Sequence, residues 1–335
     1  MYAINGALGS PYSMKMRALM RYRRIPHSWV HGADSRDALS KVKAPVIPVL
    51  EYPDGTFHND STPLIYDLEA RHTGRSVIPS DPAAAFIAHL IEDFADEWVT
   101  KAMFGYRWLE EVDQIQMSRW LAFDAMGGGG LAMSQGFAEH FRARQVGRMT
   151  IVGCTAENFP LIEASTRAIL DALEAHVVDR HCLFGTRPSI AEFGMYGQLS
   201  QLGVDPTAQA MMRKDYPYSF RWLLHIDDMS GTTGQWDSEI AGADAPFAPI
   251  ITAWLKQVGE IYMPFLLANA AGIQAGDDTF SITAMGLPYT QGVFKYQVKC
   301  LADLRTRYAA LDNTARAKVD PLLAEAGCLE ALLSQ

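Results

Sequence analysis

Over the first eighty residues short apolar runs alternate with segments of helical period, and beyond them nearly all of the apolar pattern has the helical period. Met16, Leu19 and Met20 recur at helical spacing among Lys15, Arg17, Arg21 and Arg23, which predicts an amphipathic helix after Pro11. Gly6, Gly9 and Pro11 punctuate its start. The β-branched run Val46, Ile47, Pro48, Val49, Leu50, Glu51 and Tyr52 stops at Pro53, Asp54 and Gly55, a turn signal, before Thr56, Phe57 and His58. That pattern predicts a hairpin. Asn59, Asp60 and Ser61 then offer N-cap chemistry to a second helix, with Pro63 in its first turn and Leu64, Ile65 and Leu68 on one face.

Pro79 and Pro82 stop any helix and fix an extended segment, so a domain boundary is expected there. Beyond it Ile87, Leu90, Ile91, Phe94 and Trp98 fall on one helical stripe, while His89, Glu92, Asp93, Asp96 and Glu97 occupy the other. Gly127, Gly128, Gly129 and Gly130 read as a hinge or loop, because no Gly-Lys-Ser/Thr follows to make a phosphate cradle. Another stripe runs through Ile162, Ile169, Leu170, Leu173 and Val177, and Ser189 with Glu192 has the form of a capping box. Residues 230–249, with Gly231, Gly234, Trp236, Asp237, Gly242, Asp244, Pro246 and Pro249, read as a long loop. Two stripes follow, one through Ile251, Trp254, Leu255, Val258, Ile261, Tyr262 and Phe265, the other through Leu301, Leu304, Tyr308 and Leu311. Apolar faces of that length do not stay exposed, so they are expected to pack within the same chain, with the 230–249 loop bordering a substrate pocket.

The 335 residues suggest about two domains, at roughly 150 residues each. Hydrophobic residues at 49% and charged ones at 20% exclude a disordered or collagen-like chain. A net charge of −9 repels phosphate backbones and anionic lipid, so neither nucleic acid nor membrane is an expected partner. The most apolar late stretch, residues 262–273, is interrupted by Pro264 and Asn269 and is too short for a bilayer, which takes ~20 residues. The first residues lack the basic and then apolar order of a secretory signal, so export is not expected. Cys154, Cys182, Cys300 and Cys328 show no zinc-ligand spacing and fit a reducing, cytoplasmic setting. His176 and His181 beside Cys182 lack a second ligand pair, and no metal is expected.

Ser10-Pro11-Tyr12-Ser13 stands between the first strand and the first helix, where backbone N–H groups and the helix dipole favour an anion such as a thiolate. The tetrapeptide resembles the Cys-Pro-Tyr-Cys of glutaredoxins with serine in place of both cysteines. Together with Arg17, Ile47-Pro48, Asp60-Ser61, the linker at 79–82, and Leu183-Phe184-Gly185 followed by the 188–192 box, the chain resembles a serine-type glutathione transferase. The resemblance extends to about residue 225; family members usually carry Asp where this chain has Glu192.

The resemblance implies a thioredoxin-like α/β N-terminal domain and an all-α helical C-terminal domain. Residues 1–78 would bind glutathione, 79–82 link, 83–229 form the co-substrate domain, and 230–335 form a helical extension packed on it. It implies a cis peptide before Pro48, with the Ile47 backbone facing the cysteinyl part of glutathione. Asp60 and Ser61 would take the γ-glutamyl end, Lys41 or Lys43 the glycyl carboxylate, and Tyr12 a wall of the site. Ser10 would stabilise the thiolate, with Ser13 as runner-up; a tyrosine mechanism is disfavoured, since Asn5 and Gly6 stand where that phenol would be. Glutathione would then attack a small hydrophobic electrophile, in conjugation, dehalogenation, ether cleavage or isomerisation, and family members are commonly homodimers.

Taken alone, Ser10 is an ordinary N-cap, Asp60-Ser61 simple capping, and Lys41 and Lys43 solvated charges. Trp98, Met103, Tyr106, Trp108, Trp120, Met126 and Met133 are core residues by default, some of which would line the electrophile pocket. A non-catalytic binding or interaction module of the same fold is the alternative function. A disulfide or dehydroascorbate reductase would need a thiol at position 10, and no cysteine precedes residue 154.

Overall fold

The computed structural model describes residues 1–127, 129–242 and 245–334. Gly128 of the glycine run and Asp244 of the 230–249 segment lie outside the described residues. Strand β1 (Tyr2–Gly6) leads into α1 (Pro11–Tyr22), β2 (His27–His31) and α2 (Arg36–Ser40), followed by β3 (Val49–Glu51), β4 (Phe57–Asn59) and α3 (Ser61–Arg71). Helices α4 (Pro82–Phe94), α5 (Thr100–Trp108), α6 (Glu111–Met126), α7 (Leu131–Val146), α8 (Met149–Val152) and α9 (Phe159–Val177) come next. Then follow α10 (Ile190–Leu202), α11 (Pro206–Asp215), α12 (Pro217–Ile226), α13 (Asp237–Ile240), α14 (Pro249–Gln257) and α15 (Met263–Ala275). Strands β5 (Thr279–Ala284) and β6 (Leu287–Gly292) precede α16 (Lys295–Ala309), α17 (Asn313–Glu325) and α18 (Leu329–Leu333). A thioredoxin-like α/β region is thus followed by a mostly helical one. No described helix is long and apolar enough to cross a membrane.

By internal contact the chain divides into two compact units assembled from interleaved segments. One comprises Met1–Val77, Tyr106–Gly147 and Glu192–Thr233; the other comprises Ile78–Gly105, Arg148–Ala191 and the residues from Gly234 onward. Both units draw on residues 83–229, which the sequence reading treats as one domain.

In the first unit the sheet order is β2-β1-β3-β4, with β1 parallel to β2 and antiparallel to β3. The predicted hairpin is β3–β4, closed by Tyr52 N donating to Thr56 O at 2.9 Å. Its first strand, Val49–Glu51, is shorter than the β-branched run, and the Ile47–Pro48 peptide before it is cis. Helix α1 starts where the sequence places it: Pro11 fills the first turn, where an N–H would go unused, and Ser10 accepts from Ser13 N. Its apolar face, Met16, Leu19 and Met20, is buried. Asp227 gathers Arg17 at 2.7 Å, Arg21 at 2.8 Å and the Tyr196 hydroxyl at 2.6 Å, which fastens α1 to the end of α12. Burial pushes the Asp227 carboxyl up, but the bonds from Tyr196 and Arg17 outweigh it and hold the group below its ordinary value.

The second unit is built on an aromatic cluster. Phe265 packs against Trp98, Phe280, Tyr262 and Tyr289 with ring centroids 5.2–6.2 Å apart. Trp254 is fully buried and its indole donates to the Ile169 carbonyl at 3.2 Å, so the 251–265 stripe lies on α9. The polar stripe of α4 is covered as well: His89, Glu92 and Asp96 are buried, His89 Nε2 meets Asp303 at 2.9 Å, and Asp93 accepts from the Tyr262 hydroxyl at 2.6 Å. Asp93 precedes the π-helical turn Ala95–Val99, and Tyr262 ends the π-helical turn Val258–Tyr262.

Two features correct the sequence reading. The helical part contains the hairpin β5–β6, turned by Met285 and Gly286, both with positive φ, as a two-residue primed turn requires. The 230–249 segment is not structureless, although Trp236, Asp237 and Phe247 do line a small cavity of the second unit with Leu183, Phe184 and Lys318. Trp236 is buried and bridges Gly185, Thr186 N and Asp237 N complete the pairing, and α13 follows at once.

Candidate functional site

The sheet register brings three sequence-predicted positions to one end of the first unit. Asn5 pairs with Val49, and Val49 with Asn59, so the end of β1, the start of β3 and the end of β4 coincide. From that end extend the loop to Ser10, the cis Ile47–Pro48 bond and the Asp60–Ser61 step into α3.

Ser10 is partly exposed at the N-cap of α1. Its oxygen accepts from Ser13 N at 3.3 Å, which leaves the hydroxyl proton available for an incoming anion. The positive end of the α1 dipole adds to the attraction. Ser13 is fully buried, and a Cβ added to Gly6 would sit 2.7 Å from Ser13 Oγ. That oxygen meets no hydrogen-bond partner among the described residues and faces the interior. The two serines of the tetrapeptide therefore differ in access.

Asp60 occupies the N-cap position of α3 with φ +80°, a conformation that non-glycine residues hold only when the surroundings enforce it, and its side chain makes no capping bond. Ser61 is 5% exposed, and its hydroxyl accepts from the buried ammonium of Lys15 at 3.2 Å. Asn59 reaches back to Ala44 O at 2.6 Å and Val46 O at 3.2 Å, bracing the loop that carries Ile47. Tyr12 and Ile47 are partly exposed and Pro48 is buried. Lys41 is engaged elsewhere, with Asp37 at 2.7 Å and its ammonium 4.3 Å from the Phe57 ring centroid.

A cavity of about 650 Å³ adjoins Ser10 on both sides in sequence, lined by Leu8, Gly9 and Met14. Its other walls are Met117, Trp120, Leu121, Phe123 and Asp124 of α6, with Ser200, Gln201 and Val204. The size suits a small molecule and the lining is mainly apolar. Asp124 is its one charged lining residue; burial pushes that carboxyl up, against the pull of His31. Of the seven aromatics and methionines singled out in the sequence, Trp120 lines this cavity, whereas Trp98 belongs to the aromatic cluster of the second unit.

Sequence reasoning missed the Lys15 bond to Ser61, the Asn59 bonds to Ala44 and Val46, and a buried group made by Arg107, Gln201 and Asp205. These side chains look like solvated polar groups in a linear reading, and their partners lie 13 to 98 positions away. The cysteines are all free and buried, and burial pushes the Cys154 and Cys328 thiols up to about 12. His176 sets its Nε2 against the Cys182 carbonyl at 3.2 Å.

Residues 5–76 match the family model described as glutathione S-transferase, N-terminal domain. Among solved structures, a glutathione S-transferase from Rhodospirillum rubrum F11 is similar at 17% identity, covering 74% of this chain and 96% of that one, with a TM-score of 0.45. One from Methylobacterium radiotolerans, in complex with glutathione sulfonate, is 20% identical over 74% of this chain and 95% of its own, with a TM-score of 0.40. One from Methylobacillus flagellatus with glutathione bound is 17% identical over 67% and 93%, with a TM-score of 0.38. No curated protein matches the sequence. The family match is confined to residues 5–76, the segment that carries the four-stranded sheet and the Ser10, Ile47–Pro48 and Asp60–Ser61 positions.

Proposed function

We propose that the chain is a glutathione transferase that binds glutathione at the sheet end and presents its thiolate to a small apolar electrophile in the adjoining cavity. The observation that carries this reading is the partly exposed Ser10 hydroxyl at the mouth of α1, flanked by cavity residues Gly9 and Met14. The Ile47 backbone would take the cysteinyl amide. Ser61 at the start of α3 would bind the γ-glutamyl carboxylate, and Asp60 the ammonium.

A free thiol has pKa ≈ 8.5, so little of it is ionised at neutral pH. Ser10 donating a hydrogen bond, together with the positive end of α1, would stabilise thiolate over thiol by about 1.4 kcal/mol for each pKa unit moved. The sulfur then forms a bond to the electrophilic carbon, and the leaving group departs or the double bond takes the electron pair. With Ser13 sealed inside, Ser10 is the group assigned to this task.

Calorimetry with glutathione is the test, followed by turnover of an aryl halide. Heat of binding at millimolar glutathione or below, and a kcat/KM that falls 10-fold or more in Ser10→Ala, is the expected outcome. Absence of binding in the unaltered protein would reject the reading in favour of the non-catalytic module.

A further inference from the structure

The loop that delivers Ser10 is held from behind by a buried polar group that glutathione itself does not need to touch. Arg107 at the end of α5 is 2% exposed, and its guanidinium is spent on three partners. Nε donates to both oxygens of Asp205 at 3.0 and 3.2 Å, Nη2 donates to Gln201 Oε1 at 2.7 Å, and Nη1 donates to the carbonyl of Gly9 at 2.8 Å. Gln201, fixed by that bond, turns its amide to the carbonyl of Leu8 at 3.2 Å. Two consecutive carbonyls, those immediately before Ser10, are therefore fastened to one buried ion pair. The turn itself is closed by Ser10 N donating to Ala7 O at 3.1 Å. Gly9 lets the loop run against α6: a Cβ there would lie 2.2 Å from Leu121 Cδ2.

We infer that Arg107, with Gln201 and Asp205, is a positioning group that holds the Leu8 and Gly9 carbonyls and thereby fixes the Ser10 hydroxyl toward the glutathione sulfur. The inference rests on the proposed function, because it is the thiolate that Ser10 is positioned for. The fork geometry explains why arginine stands here: a single guanidinium grips a carboxylate, an amide and a carbonyl in one plane, which an ammonium cannot do. Hydrogen bonds to a thiolate weaken steeply with misalignment, so a loop free to shift would lose stabilisation of the anion while the peptide-binding contacts at Ile47 and Ser61 stayed intact. Asp205 is faced by Arg107 from α5 and by Asp113 from α6; Asp113 is itself held by Thr207 N at 2.8 Å and Thr207 Oγ1 at 2.6 Å.

The test uses the full chain and reads the ultraviolet difference band of glutathione thiolate against its calorimetric Kd. Gln201→Leu releases the Leu8 carbonyl without leaving a charge unpaired, so it is the first variant. Arg107→Leu combined with Asp205→Leu removes the ion pair as a whole and avoids a lone buried carboxylate. Both should lower the bound thiolate fraction at neutral pH, and kcat, by 5-fold or more, while Kd for glutathione stays within 2-fold. Arg107→Lys should recover less than half of the lost thiolate. A purely structural role would lower the melting temperature and leave thiolate fraction and kcat per folded molecule unchanged, and that result in Gln201→Leu would overturn the inference. If the unaltered protein binds no glutathione, the proposed function fails first. Binding without any difference between Gln201→Leu and the unaltered chain defeats only the positioning role.

Discussion

The two compact units bury polar groups to opposite ends. In the first, buried Arg107, Gln201 and Lys15 reach outward to the Ser10 loop and to Ser61, so the interior polarity terminates at the candidate site. In the second, buried polar groups close on one another: Lys101 donates to Gln291 Oε1 at 2.6 Å and Val152 O at 3.0 Å, Tyr289 donates to the same Gln291 oxygen at 2.8 Å, and Tyr262 donates to Asp93. All four cysteines also lie in the second unit, where burial pushes the Cys154, Cys300 and Cys328 thiols up. Bonds from buried side chains to the loop before Ser10 and to Ser61 hold those segments in place, whereas the buried bonds of the second unit complete its core.

The comparison is broken most severely by removing the residues from Gly234 onward. Ile78–Gly105 and Arg148–Ala191 would then lose the partners that cover Trp98 and Ile169, and the shortened chain should be recovered only as aggregate. A soluble product with native thiolate chemistry would show the first unit to be self-sufficient. Phe265→Ala makes the same point within the intact chain. It deletes the centre of the aromatic cluster and should cost ~3–5 kcal/mol in urea unfolding, while folded molecules keep their glutathione Kd within 2-fold.

On the first unit, Asp60→Ala with Ser61→Ala should weaken glutathione by ~2 kcal/mol or more, through lost charge-assisted bonds. Calorimetry reads it directly, and a loss below 3-fold would mean that the γ-glutamyl end lies elsewhere. Asp205 gives a pH signature of similar size. Burial pushes its carboxyl up to about 6 from its ordinary value of 3.8, against the pull of Arg107, so between pH 6 and 4 the folded chain holds more protons there than the unfolded chain does. This group's contribution to stability therefore rises as pH falls through that window, on the order of 2 kcal/mol, and Asp205→Asn should remove the rise. A pH dependence identical in the variant would show that the Arg107 pair keeps Asp205 ionised throughout.

How much of this was legible follows from where each signal resides. The α1 stripe, the Pro53–Gly55 turn and the Ser10 cap are local patterns of period and propensity, and they formed where the sequence put them. The hairpin β5–β6 was hidden because its alternation, Phe280, Ile282 and Ala284 against Ser281 and Thr283, is short and lies between two long helical stripes. The polar side of α4 has the look of a solvated face; its burial depends on Tyr262 and Asp303, 169 and 214 positions away. Arg107 was invisible for the same reason, since its partners lie 94 and 98 positions away. Distance along the chain, not weakness of the interaction, decided what could be read.

The smallest expected effect is the sharpest, because it separates two serines of one tetrapeptide. Ser13 Oγ is buried without a partner among the described residues, beside Gly6. Leaving a buried hydroxyl unpaired costs roughly 1–3 kcal/mol, so deleting it in Ser13→Ala should be neutral or should stabilise the fold by up to ~1 kcal/mol once the lost van der Waals contacts are counted. The backbone N–H of residue 13, which caps onto Ser10, is untouched by the substitution. Bound thiolate and kcat should therefore stay within 2-fold of the unaltered protein, against the 10-fold or greater loss expected in Ser10→Ala. Urea unfolding and the thiolate difference band, measured on the same two variants, decide the matter. A loss in Ser13→Ala equal to that in Ser10→Ala would mean that the inner hydroxyl turns outward when glutathione binds, and the assignment of the thiolate donor would pass from Ser10 to Ser13.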